Sequence, residues 1–264
     1  MELDKLLYHI NKILPCETAM KHDRIGLQTE AGNEVHKVLI VYEVTDEVID
    51  ECIASCCDTI ITFHPLIWAP LTNILLNERV GRLLSKIIKS SINLISLHTT
   101  FDAYQYGTSY LLANALQLNI CGFLVPDNNM DKCGMGIIGE MSEPIKDVDL
   151  LKKVYDICQS PIKYTSGASN LIKKVAIVGG SGTSFINNAR QNNCDAFITA
   201  DITYHIFHAE KNHLMLIDPG HYETELFVKN GIAKLFNDFF VSNNIEYMVS
   251  KVNTNPVKYY PNCN

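Results

Sequence analysis

Apolar and polar positions alternate along this chain in two periods, one of strands and one of helices. Leu6, Leu7, Ile10, Ile13 and Leu14 recur at helical spacing, so residues 1–14 read as an amphipathic helix. Residues 38–44 (VLIVYEV) form a buried-strand run, and Thr45-Asp46-Glu47 caps a helix that reaches about Cys56. A strand over 58–63 (DTIITF) ends at His64-Pro65; a helix over 78–91, a strand over 93–98 (NLISLH) and a helix over 107–117 follow. The second half repeats the pattern. Strands are predicted at 135–141, 174–179, 195–200, 214–218 and 245–250, and helices at 146–158, 183–192, 203–211 and 222–242.

Apolar strand runs alternating with helices predict an α/β protein whose sheets are flanked by helices on both faces. The polar, turn-rich stretch 122–134 (GFLVPDNNMDKCG) is the expected seam. It divides a first α/β lobe, 1–125, from a second, 126–264, whose C-terminal part is free to pack back on the first. No internal repeat and no low-complexity segment interrupts this plan.

Length and composition change little in that picture. A chain of 264 residues can bury a sizeable core without staples. With 47% hydrophobic and 19% charged residues it belongs among folded globular chains. A formal net charge of -7 and scattered Lys residues disfavour nucleic acid as the main partner. No apolar run approaches the ~20 residues needed to cross a bilayer, and the amphipathic N-terminus is not a signal peptide. The nine Cys include no CxxC pair. Cys52, Cys56 and Cys57 lie close together, but small apolar packing explains them better than zinc. Free thiols fit a reducing compartment, so the chain is expected to be soluble and cytoplasmic.

The chemistry collects just beyond the strand ends. His64 follows one strand, and His98 ends the next with Asp102 four residues on. Asp201 follows a third, with His205 four residues on; His221 follows a fourth, with Glu225 four residues on. Open α/β sheets bind ligands outside the carboxyl ends of their strands. Imidazole nitrogen and carboxylate oxygen together suit zinc, iron or manganese, and a carboxylate can bridge two ions. The spacing of His221 and Glu225 puts both on one face of a first helical turn. Taken singly, a strand-end His is more often a hydrogen-bonded structural residue. Likewise Glu225 could complement a helix dipole and Asp102 a turn. The turn Gly179-Gly180-Ser181-Gly182 lacks the third glycine of a dinucleotide fingerprint and the Lys of a P-loop, and reads as a tight strand–helix connection.

FHPLIWAPL (63–71), HTTFDA (98–103), VAIVGGSG (175–182), ITADITYH (198–205) and DPGHYETE (218–225), with GLQ (26–28), resemble in order the blocks of the Nif-three-like family, also called the type 2 GTP cyclohydrolase I family. The resemblance runs from about residue 20 to 255. It implies two α/β lobes with a metal site in the cleft between them, toroidal homohexamers, and, at this length, no inserted middle domain. The family's metal ligands fall on His64, Asp102, His221 and Glu225, with Glu225 bridging in a dinuclear site. His98 matches a near-site residue, and Asp201 and His205 match a block lining the cleft. One position departs: many members carry His where this chain has Phe63, which cannot ligate, so one or two ions per chain are expected. An aromatic residue there resembles the eukaryotic branch. The resemblance implies a metal-dependent hydrolase acting on a small molecule, with opening of the GTP imidazole ring as the family's named reaction and His98 and His205 placed to shuttle protons. The alternative is a non-catalytic ring protein that binds metal or a protein partner.

Overall fold

A computed structural model describes residues 1–260. In chain order the elements are α1 (Leu3–Ile13), β1 (Gly26–Thr29), β2 (Lys37–Val41), α2 (Asp46–Ala54), β3 (Thr59–Thr62), α3 (Arg79–Lys89), β4 (Asn93–Ser96) and α4 (His98–Asp102). Then come α5 (Thr108–Ala115), β5 (Asn119–Pro126), β6 (Gly134–Lys146), α6 (Asp147–Cys158), β7 (Lys163–Tyr164) and β8 (Leu171–Ser181). The rest are α7 (Ile186–Gln191), β9 (Ala196–Ala200), α8 (Tyr204–Glu210), β10 (Met215–Asp218), α9 (His221–Thr224), α10 (Val228–Ser242) and β11 (Glu246–Val249). The chain forms two compact units, one of Met1–Phe101 with Val228–Thr254 and the other of Asp102–Phe227 with residues 255–260.

The first unit is built on a five-stranded sheet in the order β1-β4-β3-β2-β11. The strands from β4 to β11 are parallel, and β1 runs antiparallel at the edge. Parallel strands buried on both faces read as near-continuous apolar runs rather than alternating ones, as in β2, KVLIV, and β3, TIIT, whose end threonines are buried too. On one face Leu39, Val41, Ile60 and Leu94 pack with Val48 and Ile49 of α2 and Leu83 and Ile87 of α3. α1 and α10 lie together, the His9 ring stacked 3.6 Å from that of Phe239. The Thr45 hydroxyl accepts the Val48 N–H and starts α2, as its sequence signal predicts.

The second unit holds a six-stranded sheet in the order β5-β6-β8-β9-β10-β7. β8, β9 and β10 are parallel; β5, β6 and β7 are antiparallel additions. Leu112 and Leu116 near α5 and Leu150 and Val154 of α6 cover one face over Ile137, Val175, Ile177 and Ile198. Ile186 and Ala189 of α7 cover the other over Ala176, Val178 and Phe197. Residues 122–134, the expected seam, lie inside this unit as the β5–β6 hairpin. Their polar tip around Asp127–Lys132 is a turn, while Leu124 is buried in the core. The edge strands β1, β5 and β7 are absent from the sequence reading: β1 and β7 are short, and β5 is largely exposed and interrupted by Gly122.

The expected helix 222–242 is two helices. The short α9 stops at Glu225, whose backbone sits at φ -114 and ψ 10, before α10 begins at Val228. Thr224 is pinned to the end of β8, its hydroxyl accepting the Gly180 N–H at 2.9 Å and donating to the His221 carbonyl at 2.8 Å. No Gly or Pro marks that break in the sequence. The segment read as helix 183–192 likewise opens with a 3-10 turn, Thr183–Phe185.

Candidate metal centre

The parallel strands of both units end in polar residues. In the first unit β2 leads to Tyr42 and Glu43, β3 to Phe63 and His64, and β4 to Leu97 and His98. His64 Nδ1 lies 3.1 Å from Glu43 Oε2, and the Arg79 guanidinium donates to the other Glu43 oxygen at 2.8 Å. Burial pushes the Glu43 carboxyl up, but the bond to His64 and the Arg79 charge hold it below its ordinary value. With Nδ1 engaged, Nε2 is the nitrogen of His64 that can ligate.

His98 does not end a strand. β4 stops at Ser96, and His98 opens α4 in the left-handed region at φ 33. Its Nδ1 lies 2.7 and 2.8 Å from the two oxygens of Asp23, whose side chain is only 2% exposed. Asp23 also accepts the Thr99 N–H at 3.2 Å and the Thr99 hydroxyl. Burial works against the charged form of Asp23, yet these donors lower its pKa to about 2. Aromatic rings wall this end of the unit. Phe63, fully buried, packs against Tyr42, His64, His98 and Phe101. Trp68, 61% exposed, presents its edge to His98 with centroids 5.1 Å apart.

In the second unit the site forms around Gly179–Ser181. Asp201, in the left-handed region at φ 57, places Oδ2 2.7 Å from His221 Nδ1 and also accepts the Ser181 hydroxyl. His221 Nε2 then faces Glu225 Oε2 at 3.3 Å. Glu225 is 4% exposed, an expensive place for a carboxylate without a cation beside it. Burial pulls the His221 pKa down, but Glu225 and then Asp201 together raise it to about 10. An imidazole held between two carboxylates is a place that calls for positive charge, and a divalent ion can supply it in place of the proton.

Gly180 shows why this turn is glycine-rich. It adopts φ +63, and a Cβ there would stand 2.4 Å from Glu225 Oε1 and 3.2 Å from His221 Nε2. Its missing side chain leaves room beside the donor atoms. Asp102 joins the same unit, its Oδ1 accepting the Thr108 hydroxyl at 2.5 Å. The Thr108 methyl in turn packs where a Cβ on Gly179 would lie. The second unit therefore carries Asp102, His221 and Glu225, and the first carries His64. These residues offer imidazole nitrogens and carboxylate oxygens, the donor set of zinc, iron or manganese.

His205 stands exposed on α8 with its ring beside that of Tyr204. Phe63 is a wall of the site. Glu43, Asp23 and Thr108, which orient His64, His98 and Asp102, are absent from the sequence reading. The lone polar residue Glu43 closing the run VLIVYE is the one signal that points to any of them. Among the described residues no helix is long and apolar enough to cross a membrane.

The chain is 28% identical over 263 residues to a "GTP cyclohydrolase 1 type 2 homolog" of Clostridium perfringens, covering 98% of this chain and 100% of the relative. A protein of the same description from Streptomyces coelicolor is 30% identical over 231 residues, covering 84% of this chain and 81% of its own length. The crystal structure of a Staphylococcus aureus hypothetical protein matches with a TM-score of 0.90 at 27% identity, over 98% of this chain and 99% of that one. The model of the Duf34/NIF3 (NGG1p interacting factor 3) family matches residues 1–256, and the chain belongs to that family.

Proposed function

We propose that this protein holds a divalent metal with His64, His221 and Glu225, joined by Asp102, a set of two imidazoles and two carboxylates. The observation that carries this reading is the pairing of buried Glu225 with His221, whose far nitrogen is fixed by Asp201. A second-sphere carboxylate on a ligating imidazole fixes its tautomer and raises its basicity. The pair of His64 with Glu43 repeats that arrangement in the first unit. Zinc, iron and manganese all suit this donor set.

The ion serves hydrolysis of a small molecule. Relatives described as GTP cyclohydrolase 1 type 2 homologs favour a nucleotide, with ring opening of GTP as the first substrate to test. A divalent ion supplies Lewis acidity and positive charge to such a reaction. The protein's own groups supply proton transfer: His98 is the better placed, its Nδ1 held by Asp23, and His205 is the second candidate. Phe63 favours a second reading. A fully buried phenyl ring at a position where the family resemblance implies a ligand favours one ion per chain, and a single ion suits a metal- or partner-binding ring protein as well as a hydrolase. A homohexamer and a cytoplasmic location complete the proposal.

Elemental analysis of protein purified without chelator tests it, beside His64→Ala and Glu225→Ala. One ion per chain, lost in both variants, supports the site; none in the parent overturns it. Turnover of GTP by the loaded protein, abolished in Glu225→Ala, supports the hydrolase. Full metal content with no turnover of any nucleotide supports the binding protein. Light scattering at six times the chain mass of 29.7 kDa tests the ring.

A further inference from the structure

The C-terminal end of α2 brings two thiols together. Cys57 N–H donates to the Cys52 carbonyl at 2.9 Å, and Cys56 N–H donates to the Ile53 carbonyl at 3.0 Å. Cys56 sits in the left-handed region at φ 54. These two bonds and that backbone make a Schellman motif, in which the side chain two residues past the helix meets one from its last turn. That contact is ordinarily apolar. Here both members are cysteine: Cys52 is fully buried and Cys57 6% exposed, and the Cys52 thiol donates to the Cys57 carbonyl at 3.4 Å. Cys56, between them, turns outward and is exposed. The spacing C-x-x-x-x-C carries no redox or zinc signature in sequence; the helix cap creates the pair.

We propose that Cys52 and Cys57 are a reversible dithiol–disulfide modification site, oxidised by a small organic disulfide. The Cys57 thiolate attacks one sulfur of the small disulfide. A protein–small-molecule mixed disulfide forms and one thiolate leaves. Cys52 then loses its proton and attacks Cys57 Sγ, forming the Cys52–Cys57 bond and expelling the second thiolate. Two protein thiols are oxidised and one disulfide is reduced to two thiols. Local polarity supports these roles. The Cys57 thiol is lowered, first by its interaction with the neighbouring Cys52 thiol, against the opposing effect of burial, with the Lys37 ammonium assisting. The same neighbour, joined by burial, raises Cys52. Access comes from fraying of the last helical turn, the least stable part of any helix. Once formed, the cross-link ties the end of α2 to the start of β3. Glu51, on the adjoining turn, accepts the Lys251 N–H at 2.9 Å and the Ser250 hydroxyl, so the bond would stiffen the region that also holds the chain after β11.

The test uses the full chain, equilibrated in buffers of defined reduced-to-oxidised glutathione ratio, quenched in acid, unfolded and alkylated. Tryptic peptides are then mapped by mass. In oxidising buffer, Cys52 and Cys57 lose their label together while Cys56 keeps its own, and dithiothreitol restores both. Cys56→Ser behaves as the parent, whereas Cys57→Ser leaves Cys52 alkylated. The parent protein gives the deciding measurement, so a poorly folded variant does not obscure it. Full labelling of Cys52 and Cys57 at every ratio overturns the proposal, as does a cross-link that includes Cys56.

Discussion

Asp201 Oδ2 lies 2.7 Å from His221 Nδ1, and this contact decides which nitrogen of His221 faces Glu225. Asp201 reaches that position from a left-handed backbone at the end of β9, where it also receives the Ser181 hydroxyl. Asp201→Asn keeps the shape but removes the charge. Metal affinity is expected to fall roughly 10–100-fold, the usual cost of losing a carboxylate behind a ligating imidazole. Titration of the stripped protein with zinc, followed by calorimetry, measures it. Unchanged affinity would remove Asp201 from the centre.

Gly180→Ala places a methyl on Glu225 Oε1 and forces an L side chain into φ +63. The backbone alone costs about 1–2 kcal/mol, and displacement of Glu225 is expected to abolish metal binding. A thermal melt and the metal content of the same preparation separate the two effects. A variant that keeps its metal would mean that the turn can move aside.

Asp23 sets an acid limit. Its folded pKa of about 2 lies below the ordinary 3.8, so the unfolded chain takes up the proton first as pH falls. The stabilisation is full above about pH 4 and is lost as the pH drops through 2. The shift corresponds to about 2 kcal/mol. Urea unfolding of the parent and of Asp23→Asn at pH 5 and pH 2.5 checks it. The gap between the two should narrow markedly at the lower pH, and a constant gap would contradict the assignment.

Phe63→His tests whether position 63 sets the number of ions. Phe63 is fully buried against Tyr42 and Phe101, so a buried imidazole there costs about 1–3 kcal/mol. If position 63 is what limits the centre to one ion, metal content rises to two per chain. A variant that folds and still holds one ion shows that a further residue is lacking.

Thr45→Ala is the control remote from the site chemistry. It removes the cap on Val48 and should lower stability by about 1 kcal/mol without altering metal content.

Much of this was legible in the chain itself. The runs VLIV, TIIT and FITA can only be strands buried on two faces, and Thr45-Asp46-Glu47 can only sensibly begin a helix. Strand-end placement of His64, Asp201 and His221 followed from the periodicity, because residues after a buried strand leave the core at the sheet's carboxyl edge. Local pattern also fixed the limits of what could be read. The break between α9 and α10 has no Gly or Pro, because Thr224 makes it through bonds to Gly180, 44 residues away. The partners Asp23 of His98 and Glu43 of His64 are 75 and 21 residues distant in sequence, and no spacing rule connects them. Cys52 and Cys57 had the look of packing until a left-handed Cys56 folded one onto the other. Sequence determined which residue types stand at the ends of the strands, since that depends on period and polarity alone. Tertiary structure decided which nitrogen each imidazole offers, which carboxylate is buried and which thiols meet, since these depend on distances that close only when the sheets assemble.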